Sequence, residues 1–368
     1  MNAQKIFFGK NVEGIVKWLK TKKAKKLLLV TGHNSYVNSG AKDYLLLGLS
    51  NFSVVRFYNF KENPTIKDVY KGIEILIEEK CDCCIAVGGG SVMDMAKLIC
   101  FLSEEKTNNV NLIINNNLKN IQRKIPLIAI PTTAGSGAES THFAVVYINK
   151  KKYSLANNTI LPDCVNINSS LSYSLSPYMK AITGIDALSQ GIESYWSKKA
   201  NNESREYSRK AIDLIWNNLK KSVIENDLTA HEKVVEGSNY AGKAINIAKT
   251  TAAHAISYYF TTNHSIKHGH AVALTLAKVY KFNREKSLNS SNEIKDIFYD
   301  LDNMLHIKDD SKTYIENFIK SLDIELDYKK LNINIESELP FIKSSINLER
   351  LNNNPFFITE NDFDKLIL

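Results

Sequence analysis

Short apolar runs alternate with segments of helical period through the first 130 residues, and this alternation narrows the fold more than any other feature. Lys26–Thr31, Ser53–Tyr58, Cys84–Val87 and Pro126–Ile130 have the length and apolar character of buried strands. Between them, Thr65–Lys80 places Ile66, Val69, Tyr70, Ile73, Leu76 and Ile77 at three- and four-residue steps, which makes one apolar helix face. Met93–Leu102 reads as a second helix of this kind. Strand–helix alternation predicts an α/β fold with a doubly wound, mostly parallel sheet. From about Ser176 the pattern changes. Asp186–Ser197, Glu203–Lys220 and His231–Ile247 are long helical segments, and strand-like runs disappear. The second half is therefore expected to be all-helical. A length of 368 residues suits two domains on a scale of roughly 150 residues each. The boundary is placed between about Asn168 and Leu175, giving a dinucleotide-binding domain at 1–171 and a helical metal-binding domain at 172–368. The Asn-rich stretch Thr107–Asn120 reads as a loop or surface excursion.

Composition excludes several classes. Hydrophobic residues make up 44% and charged residues 23%, enough for a sizeable core. No apolar run approaches the roughly 20 residues of a membrane span. The opening Met1–Ile6 lacks the basic-then-apolar pattern of a secretion signal. The five cysteines, three of them crowded at Cys81, Cys83 and Cys84, do not form a disulfide framework, and a reducing cytoplasm is expected. Net charge is +8, partly from Lys20, Lys22, Lys23, Lys25 and Lys26, which are read as closing a first helix. No nucleic-acid motif accompanies these lysines, so no nucleic-acid partner is expected. A basic surface instead suits an anionic substrate.

Two polar turns follow predicted strands. Val87-Gly88-Gly89-Gly90-Ser91 opens a helix, so free backbone N–H groups and the positive helix end suit a pyrophosphate. It is not the common G-x-G-x-x-G fingerprint, and glycines also mark ordinary turns. Pro131-Thr132-Thr133-Ala134-Gly135-Ser136-Gly137-Ala138-Glu139 offers hydroxyls and close backbone approach. It also reads as a helix start with Ser136 as N-cap and Glu139 three residues later. Both turns are expected to line one crevice at the C-terminal ends of parallel strands.

Asp186, His254 and His268 are metal-binding residue types, each inside its own short motif. One carboxylate and two imidazoles suit iron, zinc, manganese or nickel, and three ligands leave a coordination position open. Gln190 lies one helical turn after Asp186 and is a possible weak fourth ligand. His254 taken alone is more often a structural histidine than a ligand.

Taken together these pieces resemble the iron-containing (group III) alcohol dehydrogenase family, whose architecture is shared with dehydroquinate synthase. The residues that carry the resemblance are Gly88–Lys97, Pro131–Gly137, Gly184–Leu188, His268-Gly269 and Glu349–Pro355. The resemblance implies a metal in the cleft between two domains, held by Asp186, His254 and His268, with iron first in expectation. It also implies NADPH or NADH as cofactor and a homodimer. Gly88, Gly89, Gly90 and Ser91 would hold the pyrophosphate. Asp94, Thr132 and Thr133 would border the nicotinamide or its ribose, Ser136 belongs to the same set, and Lys152 would contact the ribose. Within the family the chain looks most like the phosphonoacetaldehyde reductase branch, through Thr141–Tyr147, Lys152–Ala156, Gln190–Ser197, Ala241–Ile247, Thr250–Tyr258 and His268–Leu274. That branch implies reduction of a small anionic aldehyde, with His142, Lys267 and His270 as candidate partners of the anion.

Three departures from the family stand out. Most members have His where Gln190 stands. Many have a second His where Tyr258 stands, so Tyr258 or water must move the proton. NAD-dependent members often carry Asp where Gly32 stands, whereas Gly32-His33-Asn34-Ser35 has no carboxylate and accommodates NADPH; Gly32, Asn34 and Ser35 join the expected cofactor site. The alternatives are another short-chain aldehyde or polyol dehydrogenase, a synthase of the shared architecture, and a non-catalytic relative that has lost tight metal binding.

Overall fold

A computed structural model describes residues 4–105, 110–115, 118, 120–149 and 151–367. The chain divides into two compact units, one of residues 1–133 with 137–175, the other of 134–136 with 176–368.

The first unit is built on a six-stranded sheet. Its strands are β1 (Lys5–Phe8), β2 (Lys26–Thr31), β3 (Ser53–Phe57), β4 (Cys83–Gly88), β5 (Leu127–Pro131) and, after a separate hairpin, β8 (Cys164–Ile167). The order across the sheet is β1-β8-β5-β4-β2-β3, and every pairing is parallel. The hairpin β6 (Phe143–Ile148) and β7 (Lys151–Ala156) pairs antiparallel on its own. The helices are α1 (Val12–Thr21), α2 (Ser35–Asn38), α3 (Ala41–Leu46), α4 (Ile66–Glu78), α5 (Gly90–Leu102) and α6 (Val110–Ile114). β4 is buried along its whole length, as expected of a strand covered on both faces. Ile15 and Leu19 of α1 pack with Leu27, Leu29, Ile85, Val87, Ile128 and Ile130 of the sheet. α4 starts at an N-cap, Thr65, whose hydroxyl accepts from the Asp68 N–H.

The parallel α/β class follows the alternation in the sequence. The differences lie at the margins. β1, β8 and the hairpin escape a periodicity reading, because β1 and β8 are four residues each and complete their pairing across about 160 residues of chain. α1 ends at Thr21, so of the five lysines only Lys20 lies in its last turn, and Lys26 begins β2. Ser136 caps no helix. The chain instead turns through Gly137 in the left-handed region (φ 58°) into three residues of 3-10 helix, Ala138–Ser140, without a side-chain cap. In the Asn-rich stretch, residues 107–109, 116, 117 and 119 lie outside the described residues, and Val110–Ile114 is helical.

The described part of the second unit contains no strand. Its helices are α7 (Pro177–Trp196), α8 (Asn202–Ile224), α9 (Leu228–Ala248), α10 (Ala252–Asn263), α11 (His268–Ser287), α12 (Asn292–Met304), α13 (Ser311–Lys320), α14 (Ile335–Ser345), α15 (Leu348–Asn352) and α16 (Glu360–Ile367). α7 is buried over almost its full circumference, which marks it as the central helix. Two glycines let its neighbours close on it. A Cβ on Gly184 would lie 2.3 Å from a Leu219 methyl of α8. One on Gly269 would lie 2.0 Å from the Ile182 carbonyl oxygen, so α11 meets α7 at backbone distance. No helix among the described residues is long and apolar enough to cross a membrane.

Candidate metal centre and dinucleotide turn

In the second unit, α7, α10 and α11 bring three side chains together. Asp186 lies mid-way along α7, His254 in the first turn of α10, and His268 opens α11. One ligand atom from each falls within 4.8 Å of the others, and among the described residues this is the one such group of three. His254 Nε2 is 3.2 Å and His268 Nε2 4.0 Å from Asp186 Oδ1. Asp186 and His254 are buried, whereas the His268 side chain is 36% exposed, so the cluster is open on one side. Tyr258, one turn after His254, stacks on the His268 ring at 5.9 Å and 14°.

A fourth residue organises the cluster and is not evident from the sequence. Glu193 is fully buried two turns along α7 from Asp186. Its Oε2 meets His254 Nδ1. Its Oε1 accepts from Thr251 N (3.1 Å), Thr251 Oγ1 (2.7 Å) and Ala253 N (2.9 Å). These backbone donors are the orphaned N–H groups at the start of α10, so Glu193 caps that helix from a neighbouring one, where a carboxylate is favoured. Trp196 Nε1 donates to Thr251 Oγ1 (2.9 Å) and fixes that hydroxyl toward Glu193. Asn353 Nδ2 donates to Ala248 O and Thr250 O, pinning the turn that delivers His254. The matching C-terminal stretch Glu349–Pro355 thus acts on this turn. The one sequence trace of Glu193 is its spacing: Asp186, Gln190 and Glu193 stand at i, i+4 and i+7, on one face of α7.

The electrostatics follow from this packing. Burial opposes a charge on His254, but the Glu193 carboxylate, reinforced by Asp186, pushes its pKa up to about 10. Burial would raise Asp186, yet His268, His254 and a hydrogen bond from Gln190 together hold it below the usual carboxylate range. A cation between two carboxylates is the arrangement that a divalent ion replaces, with release of a proton. Gln190 is buried, and its Oε1 has no hydrogen-bond partner. An orphaned buried amide oxygen is costly unless something binds it. With one carboxylate and two imidazoles beside it, the donor set fits a divalent ion. Once His254 Nε2 is a ligand, Glu193 holds the proton on Nδ1, which fixes tautomer and ring orientation.

In the first unit, the ends of β2, β4 and β5 lie side by side, with Thr31 opposite Val87 and Gly88 opposite Pro131. The glycine turn closes β4, and α5 starts at Gly90 with Gly89 at its N-cap and no side-chain cap, so its first N–H groups face outward. A Cβ on Gly88 would sit 2.5 Å from a Val92 methyl, which is why the turn needs glycine to lie against α5. Thr132 N donates to Gly88 O (3.0 Å), and Gly89 lies against Thr133, so the two polar turns touch. Ser91 Oγ accepts from Asn63 N. Gly32, Asn34 and Ser35 follow β2, with Asn34 and Ser35 exposed. Asp94 lies one turn into α5. Burial raises its pKa to about 6, against the pull of Lys97, the Val145 backbone and Lys152 on β7. Lys97 is lowered by burial to about 8 and donates to Thr141 Oγ1 (2.9 Å) and Phe143 O (3.0 Å), tying α5 to the hairpin. These bonded, uncapped surfaces fit a pyrophosphate with its sugars. Ser136 groups with the second unit instead.

Of the three anion candidates, His270 is committed elsewhere. Its ring nitrogens meet Tyr178 OH (2.9 Å) and Glu325 O (2.7 Å). Lys267 is exposed beside His268 at the α11 N-cap. His142 faces a surface cavity of 630 Å³ lined by Gln122, Arg123, Asn158 and Asp163, which contains none of the cluster or glycine-turn residues.

Two family models account for the chain. Iron-containing alcohol dehydrogenase matches residues 3–169, and Fe-containing alcohol dehydrogenase family, C-terminal, matches residues 180–368. The chain belongs to the iron-containing alcohol dehydrogenase family. The family is NAD(P)-linked and uses a divalent metal, and this dehydrogenase is an enzyme of that type. It is 32% identical to the NADPH-dependent butanol dehydrogenase of Clostridium saccharobutylicum over 77% of this chain and 73% of that protein. It is 35% identical to the probable alcohol dehydrogenase EutG of Escherichia coli over 60% of this chain, but that match spans only 56% of EutG. The solved structure of sulfoacetaldehyde reductase from Bifidobacterium kashiwanohense, in complex with NAD+, superposes with a TM-score of 0.90 at 28% identity, covering 100% of this chain and 96% of that one.

Proposed function

We propose that this dehydrogenase reduces a small anionic aldehyde to its primary alcohol, with phosphonoacetaldehyde, giving 2-hydroxyethylphosphonate, as the first candidate. The observation that carries the metal-dependent reading is the Asp186–His254–His268 cluster with the unpartnered Gln190 amide oxygen beside it. Support for the anion comes from the likeness to a sulfoacetaldehyde reductase. Sulfoacetaldehyde and phosphonoacetaldehyde are both two-carbon aldehydes ending in a tetrahedral oxyanion, and a net charge of +8 draws such substrates in.

Asp186, His254 and His268 would hold the divalent ion, and Gly88–Ser91 with Thr132 and Thr133 would hold the dinucleotide. The ion supplies Lewis acidity toward the aldehyde oxygen, and the reduced nicotinamide supplies the hydride. Glu193 keeps His254 in one tautomer. Tyr258, stacked on His268, would pass a proton to the product oxygen, directly or through water. Lys267, exposed beside His268, is the candidate cation for the substrate's anion.

The test supplies iron, zinc or manganese to the metal-free protein and follows NADPH and NADH consumption with phosphonoacetaldehyde, propanal and glyceraldehyde. Phosphonoacetaldehyde is expected to be reduced with the highest kcat/KM. No turnover of any aldehyde with any of these metals would sink the enzyme reading. Turnover of the plain aldehydes alone would leave the dehydrogenase and remove the phosphonate, which is the outcome the butanol dehydrogenase relative favours.

A further inference from the structure

We infer that Arg56 selects NADPH over NADH by pairing with the 2′-phosphate of the adenosine ribose. The inference rests on the dehydrogenase reading and names the cofactor of that site.

Arg56 lies on β3, opposite Leu29 of β2. Its side chain reaches past the C-terminal end of β2. Nε donates to Thr31 Oγ1 (2.8 Å), and Nη2 to Gly32 O (3.1 Å) and His33 O (3.2 Å). The guanidinium stacks against Tyr36 and Tyr58, at 4.7 and 4.3 Å from their ring centres. It is therefore a held, half-buried cation rather than a mobile surface one. Arg123, Arg205, Arg209 and Arg284 each pair with a carboxylate. Arg56 makes no ion pair among the described residues, and its Nη1 donates no hydrogen bond there. Asp43 acts on the Tyr36 hydroxyl but forms no ion pair with Arg56.

Position gives this unpaired charge a use. With a pyrophosphate on the start of α5, a dinucleotide must extend its sugars over the strands that flank β4, which are β2 and β5. Strands lie about 4.8 Å apart, so the end of β2 is within one sugar of the glycine turn. β5 ends in the hydroxyls of Thr132 and Thr133. β2 ends at Thr31-Gly32-His33-Asn34-Ser35-Tyr36, which has no carboxylate to accept from a 2′-hydroxyl or repel a phosphate. It has instead the guanidinium, whose charge is held in place by Thr31, Gly32 and His33 and whose Nη1 is left to donate to a phosphate oxygen. The pyrophosphate is served by backbone N–H groups, and Lys152 stands near the carboxylate of Asp94. Arg56 is thus the cation left for a phosphate at the β2 end.

The experiment is calorimetric titration of the metal-free protein, without aldehyde, using NADPH, NADH, adenosine 2′,5′-bisphosphate and 5′-AMP. The parent is expected to bind NADPH at least about 10-fold more tightly than NADH, and the bisphosphate more tightly than 5′-AMP by a similar factor. Arg56→Gln should weaken NADPH and the bisphosphate by about 10- to 100-fold and leave NADH and 5′-AMP within about threefold. Arg56→Lys should retain an intermediate preference, because the charge stays but the bonds to Thr31, Gly32 and His33 that hold it in place are lost. Equal affinity of the parent for NADPH and NADH would overturn the inference. So would an equal loss of all four ligands in Arg56→Gln with Arg56→Lys unaffected in preference, which marks a purely structural arginine. Binding is read without turnover, so the two readings fail separately. Aldehyde reduction with NADH as readily as with NADPH leaves the function and removes Arg56. A 2′-phosphate preference without turnover of any aldehyde does the reverse.

Discussion

Glu193→Gln tests how the candidate metal centre is held together. The substitution keeps the size and shape of the side chain and changes one oxygen to an NH2. Glu193 now accepts from four donors: Thr251 N, Thr251 Oγ1 and Ala253 N on one oxygen, and His254 Nδ1 on the other. An amide has one accepting end. If its oxygen keeps the α10 start, its NH2 faces the Nδ1–H that His254 must carry when Nε2 is a ligand. If it flips, its NH2 faces three donors. Neither orientation avoids a donor–donor conflict in a site with no water access through Glu193, which is fully buried. The smaller conflict sets the expected size. Loss of the carboxylate that holds His254 Nδ1 should weaken metal binding about 10- to 100-fold, or about 1.4 to 2.8 kcal/mol. Loss of one hydrogen bond to a charged group should lower the stability of the metal-free protein by about 1.5 to 3 kcal/mol. Metal affinity is measured by competition with a chromophoric chelator, and stability by urea unfolding of the metal-free protein. Unchanged metal affinity at unchanged stability would refute the positioning role of Glu193.

Three further outcomes follow from the same geometry. Gln190→His places an imidazole one turn from Asp186 and should tighten zinc and iron binding at least about tenfold, read as metal retained after dialysis; unchanged retention would mean that residue 190 does not reach the ion. Gly269→Ala forces a Cβ to 2.0 Å from the Ile182 carbonyl and 3.1 Å from Asp186 Cβ, so α11 must move from α7 and carry His268 with it. It should cost about 2 to 4 kcal/mol and abolish tight metal binding, whereas an intact melting curve with full metal content would show that the contact is slack. His231, buried on α9 and bonded to Ser222, is pushed by burial, with Lys180 adding to it, from its usual 6.5 down to about 4. Its folded pKa is depressed, so the unfolded chain takes up the proton first as pH falls. The contribution is present above about pH 6.5 and is lost progressively down to about pH 4, amounting to about 3 kcal/mol. His231→Gln should flatten the stability profile between those limits, and an unchanged acid slope would exclude His231 as its source.

What could be read without coordinates was whatever is encoded locally. β2, β4 and β5 announce themselves as short apolar runs, and the face of α4 by its three- and four-residue steps, because burial on a regular element imposes its own period on the sequence. That periodicity was enough for the parallel α/β class and for the helical character of the second half. Asp186, His254 and His268 stood out as residue types in separate motifs. The four-residue strands β1 and β8 left no such trace, since their identity comes from partners far along the chain.

The site was decided by tertiary structure. Nothing local says that a glycine at 269 lets α11 approach α7 closely enough for His268 to face Asp186. Nor does local sequence show that Glu193 caps a helix beginning 59 residues later while holding the histidine in its first turn. The same holds for Arg56, an ordinary strand residue by composition, which becomes a cation without a carboxylate only when β3 lies beside β2. Residue type sets which chemistry is possible. Which groups share a buried volume, and therefore which charges and lone pairs must be satisfied by one another or by a ligand, is set by how the helices and strands pack.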